Sequence, residues 1–313
     1  MQRSGGAVEL ERPSSLAELD GGTPLAGGTE LVPLLRDGLV EAETLVHVGP
    51  LLPRGVHAVR AGTPYEPVAR ADRSTAEDAP RYAQHDLTTI GAGTTLAELE
   101  VDAEVPAALR EACAAAASPQ LRNMGTIGGN LLQATRCWYW RLDYPCYLRG
   151  GDRCHAREGE HREHAIFAND RCASAHPSDP AAALLALGAT LRTTTRELAL
   201  ADLYRLPTNE DRSTTTLAPG ELILEVDVPR PDASAYLKAM SRAKWSFPLV
   251  GVAAARFGAE IRLGLAGVAP VPWTLTSIEA LDSATPLPGT AYKVQIARAL
   301  VRRALAHVGE QAR

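Results

Sequence analysis

At 313 residues the chain is long enough for two domains and a full hydrophobic core. Its 45% hydrophobic and 22% charged content is that of an ordinary globular protein, and no apolar run approaches the ~20 residues of a bilayer span. A net charge of −5 argues against a nucleic-acid partner, and the start of the chain shows no apolar signal-peptide core. The cytoplasm is therefore the default location, with periplasmic co-export on a signal-bearing partner as the alternative.

In chain order, Val8–Glu11 alternates as a short strand, and Ser14–Leu19 reads as a capped, brief helix. Pro24 to Arg36 reads as a strand end, a Gly27-Gly28 turn and a helix beginning near Thr29. Such a turn lets the backbone approach a ligand closely, and a helix N-terminus favours an anion; a plain turn is the simpler alternative. Leu45–Val48 is a strand, and the polar stretch 61–86 reads as a surface excursion. Leu87 to Leu99 repeats the earlier pattern, with a strand, a glycine turn at Gly91–Gly93 and a helix capped by Thr95 with Glu98 placed for a capping box. Val105–Ala117 is an alanine-rich helix that carries Cys113 as a small core residue. Thr126–Asn130 is a third strand-like glycine turn.

Beyond it, Trp138, Tyr139, Trp140, Tyr144 and Tyr147 crowd behind Cys137 in a chain with only 5% aromatic residues. Pro180–Gly188 is a helix, and Ala189–Leu200 contains two short strands. The polar, turn-rich stretch 206–220 marks a domain boundary. After it, Glu221–Val228, Ala235–Met240, Val250–Phe257 and Ile261–Val268 read as strands of one antiparallel sheet, followed by helices at Ser277–Leu281 and Tyr292–Val308.

No glycine turn matches the Gly-x-Gly-x-x-Gly fingerprint with its acidic ribose ligand, and none continues into Gly-Lys-Ser/Thr. Several separate turns suit an extended dinucleotide lying between two subdomains, held by backbone N–H groups. Cys137, Cys146, Cys154 and Cys172 are spaced by 9, 8 and 18 positions. No Cys-x-x-Cys pair marks a structural zinc site, and a chain of this size does not need disulfides, but the spacing leaves an iron–sulfur cluster, zinc, and free or disulfide-bonded thiols all open. His155, His161, His164 and His176 read as surface or hydrogen-bonding residues. The arginines of this stretch, interleaved with acids, read as a solvated face or a docking rim. No hydrolytic constellation and no catalytic residue is evident.

The glycine motifs Ala26–Leu31, Ile90–Thr95 and Arg122–Asn130, with Ser178-Asp179, resemble in order those of the FAD-binding subunits of the xanthine dehydrogenase family of molybdenum hydroxylases. The resemblance implies an α+β chain with a two-subdomain FAD-binding fold of the vanillyl-alcohol-oxidase type over 1–205. A C-terminal domain over 206–313 would follow, an antiparallel sheet with helices like that of the carbon monoxide dehydrogenase flavoprotein. An insertion at about 134–175 resembles that of 4-hydroxybenzoyl-CoA reductases and, more closely, of periplasmic aldehyde oxidoreductases, where it holds a [4Fe–4S] cluster.

Carried over, Ala26, Gly27, Gly28, Thr29, Glu30 and Leu31 would bind the FAD pyrophosphate. Gly91, Ala92, Thr94 and Thr95 would flank the phosphate or adenosine. Asn123, Thr126, Ile127, Gly128, Gly129 and Asn130 would complete the phosphate and ribose contacts. Asp179 and Lys238 would meet the flavin end, with Trp245–Phe247 bordering the ring, and Cys137, Cys146, Cys154 and Cys172 would ligate the cluster. The implied assembly adds a large molybdopterin subunit that oxidises an aldehyde, a small subunit with two [2Fe–2S] clusters and an external electron acceptor. A self-contained flavin oxidoreductase and a zinc-stapled interaction subunit are the alternatives.

Overall fold

The computed structural model describes residues 8–61, 64–65, 81–82 and 86–310. Its first layer is a small parallel sheet in which Thr44–His47 lies between Glu9–Glu11 and Thr23–Leu25. These strands are short, and their core is thin, resting on Val46 and Val48 with Leu222 and Leu224 reaching in from the next layer. What this sheet positions is the turn after Leu25, which leads into the helix Leu31–Arg36 with Glu30 at its N-cap.

The second layer is a five-stranded antiparallel sheet in the order Val56–Val59, Leu87–Gly91, Ile223–Pro229, Thr190–Thr193, Glu197–Ala199. The reading of residues 221–228 as the opening strand of the C-terminal sheet is thereby corrected. That strand sits at the centre of the second layer, where Glu225 and Asp227 pair with the buried Arg192 and Thr89 donates to Asp227 at 2.6 Å. The polar stretch 206–220 is an excursion that leaves this layer and returns to it.

The C-terminal sheet runs in consecutive order through Ala233–Met240, Pro248–Phe257, Glu260–Ala266 and Trp273–Leu275. Its second strand is apolar at successive positions because both faces are covered. Val250, Val252 and Ala254 face the helix Tyr292–Glu310, while Ala253 and Ala255 share the core of the helices Ala107–Ala115 and Asp179–Leu187. Asp179–Leu187 is buried throughout, capped by Ser178, whose side chain accepts from the Ala181 N–H. It lies so close to the sheet that any Cβ at Gly264 would strike the Ala182 carbonyl. This helix is the keel on which the second and third layers meet.

Local expectations mostly survive with small shifts. Thr95 caps the helix Leu96–Leu99 through a capping box with Glu98. Cys113 is fully buried in the core. Ser277–Leu281 is replaced by a 3-10 turn at Glu279–Ser283. The strand-like reading of Thr126–Asn130 is corrected: Ile127–Leu131 is a helix, and Thr126 caps it by accepting from the Gly129 N–H. Of the 61–86 excursion, only the ladder pairing Pro64-Tyr65 with Arg81-Tyr82 and the two flanking residues Ala61 and Asp86 are among the described residues. No helix among the described residues is long and apolar enough to cross a membrane.

Candidate functional site

The turn at Ala26–Glu30 is built around a missing side chain. A methyl group at Gly27 would overlap the Met124 carbonyl, so the turn can lie against Met124-Gly125 only as glycine. Held there, it exposes a run of donors: none of the described residues accepts a hydrogen bond from the N–H groups of Gly27, Gly28, Thr29, Glu30 or Leu31. Successive unpartnered N–H groups beside a cavity form a concave positive surface suited to an anion. The second turn differs. The N–H groups of Ile127, Gly128, Gly129 and Asn130 are taken by Thr94, Ala92, Thr126 and Thr126 again. It supplies shape and the Asn130 side chain rather than free donors.

Both turns line one cavity of about 260 Å³, with Ala26–Leu31 on one side and Thr126, Gly128 and Gly129 on the other. Apolar side chains Leu52, Leu132 and Leu222 close it. Thr29, Glu30, Thr126 and Gly129 also line a second cavity of about 150 Å³, which ends on Asn130, Asp179, Arg136, Pro177 and Phe247. The two cavities adjoin along these shared residues and together form the groove between the turns. Gly91, Ala92, Thr94 and Thr95 line neither cavity. They are buried behind the second turn, where Thr94 bonds Gly55 at 2.9 Å. Ile127 is in the core, and Asn123 is exposed at the end of the helix Pro119–Arg122.

At the inner end of the groove Asp179 is 3% exposed. Lys238 donates to its Oδ2 at 2.8 Å and to the Ala115 carbonyl at 2.9 Å, and the Tyr236 hydroxyl donates to Oδ1. Burial raises the Asp179 carboxyl above the usual range against the pull of these two donors. Ser178 ties the same corner to the second turn, donating to Asn130 Oδ1 at 2.6 Å. Lys238 therefore holds Asp179 from beneath rather than lining the groove. Phe247 lines it from the 241–247 loop, and Trp245 beside it is exposed with φ of 56°.

The inserted stretch is fastened to the groove through Glu30. That carboxylate accepts from Arg136 and Arg141 at 2.6 Å each and from the Ala134 N–H at 3.2 Å. Arg136 also lies over the Phe247 ring, 4.5 Å from its centroid. The reading of this stretch's arginines as a solvated face or docking rim is corrected at two of them: Arg136 and Arg141 are turned inward, whereas Arg153 stays in solvent. A third cavity, about 240 Å³, continues past Arg136, Pro177 and Phe247 to Cys137, His164 and His176. His176 is buried against the edge of Tyr204, and burial pulls its pKa down to about 3.

Three of the four inserted cysteines occupy the N-cap of a short helical turn: Cys137 before Trp138–Arg141, Cys146 before Tyr147–Arg149 and Cys154 before His155–Glu158. None of the three makes a side-chain cap hydrogen bond, and the Cys154 sulfur accepts from the Ala173 N–H at 3.4 Å. Cys172 Sγ donates to Ser174 Oγ at 3.3 Å. The neighbouring Cys172 thiol lowers Cys154 to about 6 and is itself raised by Cys154, while burial lifts Cys137 to about 11 and raises Cys146.

All four cysteines are free thiols. Among the described residues no three His, Cys, Asp or Glu side chains converge on a point where a single ion would sit. One tetrahedral zinc would draw its sulfurs to about 2.3 Å from one centre. An iron–sulfur cube instead takes one cysteine at each of four separate corners. Four free cysteines within one inserted stretch are the ligand type and number that such a cube takes.

Comparison with known proteins agrees with the groove. The pattern described as the FAD binding domain in molybdopterin dehydrogenase matches residues 81–231. The chain is 36% identical over 230 residues to the aldehyde oxidoreductase FAD-binding subunit PaoB of Escherichia coli (strain K12), covering 66% of this chain and 72% of that protein. In fold it is similar to a chain of the CO dehydrogenase from Oligotropha carboxidovorans, with a TM-score of 0.62 at 23% identity over 98% of this chain and 99% of that one. It is likewise similar to a chain of quinoline 2-oxidoreductase from Pseudomonas putida 86, with a TM-score of 0.64 at 18% identity over 98% of both.

Proposed function

The chain belongs to the FAD-binding subunits of the molybdenum hydroxylases, and we propose that it is the flavin and iron–sulfur electron-transfer subunit of an enzyme that oxidises aldehydes. A large partner carrying molybdopterin would oxidise the substrate, a small partner with [2Fe–2S] clusters would feed the flavin, and an external acceptor would take the electrons away. The aldehyde assignment rests on the 36% identity with an aldehyde oxidoreductase subunit.

The observation that carries the reading is adjacency. The first two cavities share Thr29, Glu30, Thr126 and Gly129, the second and third share Arg136, Pro177 and Phe247, and the third reaches Cys137. The glycine turns and the cysteine pouch thus border a row of neighbouring cavities with common walls.

When bound, FAD supplies two-electron chemistry that can be split into single steps, and a [4Fe–4S] cube supplies single-electron transfer. The chain's own residues hold and shield these groups. The free N–H groups of Gly27–Leu31 would bind the pyrophosphate, with Thr126 and Gly129 opposite. Asp179, fixed by Lys238 and Tyr236, presents an oriented carboxyl at the inner end. Cys137, Cys146, Cys154 and Cys172 would ligate the cube, and Arg136 over Phe247 closes the wall between the two centres.

The test is cofactor analysis of the chain purified without oxygen. Bound FAD together with iron and acid-labile sulfide in the ratio of a [4Fe–4S] cube is expected. Flavin with zinc, or with no metal, would overturn the cluster assignment, and a chain free of flavin would overturn the whole reading.

A further inference from the structure

Of the four sulfurs, Cys137 alone is faced by a histidine. His164 Nε2 lies 3.2 Å from Cys137 Sγ, and the residue is 2% exposed. Its other ring nitrogen, Nδ1, is buried with no hydrogen-bond partner among the described residues. Against a ligating thiolate, which can only accept, the neutral ring must carry its proton on Nε2. The ring is also fixed in place. Trp138 meets it edge-on at 4.7 Å, and the His164 carbonyl accepts from Lys293 Nζ at 2.8 Å. Lys293 comes from the helix Tyr292–Glu310 and is fully buried, and it also holds the carbonyls of Glu163 and Gly267. Two bonds from one ammonium pin the backbone at Glu163-His164, and the third ties that point to Gly267.

Resting on the cofactor assignment above, we propose that His164 is a positioning residue that donates its Nε2–H to Cys137 Sγ and so raises the reduction potential of the cluster. Reduction adds an electron to the cluster and puts more negative charge on its sulfurs. A donor aimed at one of those sulfurs stabilises the reduced state more than the oxidised one. Cys154 accepts from the Ala173 N–H, and Cys172 donates to Ser174 Oγ. Among the described residues the His164 imidazole is therefore the one ring bonded to these sulfurs, and it acts on the cysteine that lines a cavity together with Arg136 and Phe247.

The experiment is a potentiometric titration of the full chain carrying its cluster, followed by the electron paramagnetic resonance of the reduced state. H164L keeps a side chain of similar size and removes the donor. At a fixed ambient potential it is expected to lower the ratio of reduced to oxidised cluster about tenfold, a shift of about 59 mV for one electron. H164Q, with an amide N–H to offer, is expected to stay nearer the parent chain. A cluster in H164L that titrates with the parent would overturn the role of His164. Should H164L not retain its cluster, the parent chain grown with ¹⁵N-histidine decides: a hyperfine coupling from one histidine nitrogen to the reduced cluster is expected, and its absence overturns the proposal. Iron content is measured first. A parent chain without iron defeats the cofactor assignment itself, whereas an iron-replete parent with an unmoved H164L defeats only the part given to His164.

Discussion

The glycine groove and the cysteine pouch lie side by side and are made by different means. In the groove the decisive contacts are backbone against backbone, as where Gly27 meets Met124, and the second turn is anchored in the main core through Ile127. In the pouch the chain takes short turns that begin at cysteines, tied to the rest of the molecule by the Glu30 ion pairs, by Lys293 and by Ile166 and Phe167 in the C-terminal core. The groove is therefore shaped before any ligand arrives. The pouch packs through the Trp138, Tyr139 and His164 rings, and its cysteine-bearing turns rest further on polar links and on whatever the four sulfurs bind.

That contrast can be broken most severely at Gly27. Gly27→Val forces a branched side chain into the Met124 carbonyl, at a cost of about 3 kcal/mol. The expected outcome is loss of bound flavin with a lowered melting temperature, read by visible absorbance and thermal unfolding. Next comes Cys154→Ser. It should abolish iron binding while leaving flavin content near that of the parent, measured on the same anaerobic preparation; a parallel loss of flavin would mean that groove and pouch are one cooperative unit.

Glu30→Ala acts on the seam between them. It leaves Arg136 and Arg141, both partly buried, without their carboxylate, a loss of about 2 kcal/mol. Faster proteolytic cleavage within 134–175 is the expected readout, with the C-terminal sheet unaffected.

The smallest effect is a dependence on pH. Burial lowers the folded-state pKa of His176 to about 3, so below its ordinary value of about 6.5 the unfolded chain takes up a proton that the folded chain refuses. This site's contribution is fully present above that value and is lost as the pH falls from there toward 3, by at most about 1.4 kcal/mol per pH unit. His176→Phe should remove that share of the slope, seen as a smaller difference between urea midpoints at pH 7 and pH 5.

The sequence carried the groove better than the pouch, for physical reasons. Glycine turns and the Thr95–Glu98 capping box are local patterns, complete within a few residues. The helix at Ile127–Leu131 was hidden because two adjacent glycines lower helix propensity, and only its Thr126 cap announces it. The strand Ile223–Pro229 pairs with Leu87–Gly91 and Thr190–Thr193, which precede the polar stretch 206–220, so the strands that follow it in sequence do not reveal its sheet. In the pouch the cysteines were plain, but cysteine is an unusual cap, and nothing local marks Cys137, Cys146 and Cys154 as helix starts. The inward turn of Arg136 depends on Glu30, 106 residues earlier, a pairing that no pattern along the chain encodes.

The account depends most on the two glycine turns gripping one ligand, and a crystal structure of the chain with FAD bound tests that most directly. The account predicts a single dinucleotide in the groove, its pyrophosphate on the N–H groups of Gly27–Leu31 with Thr126 and Gly129 across from it. A dinucleotide that touches only one of the turns, or that occupies a different cavity, would contradict it.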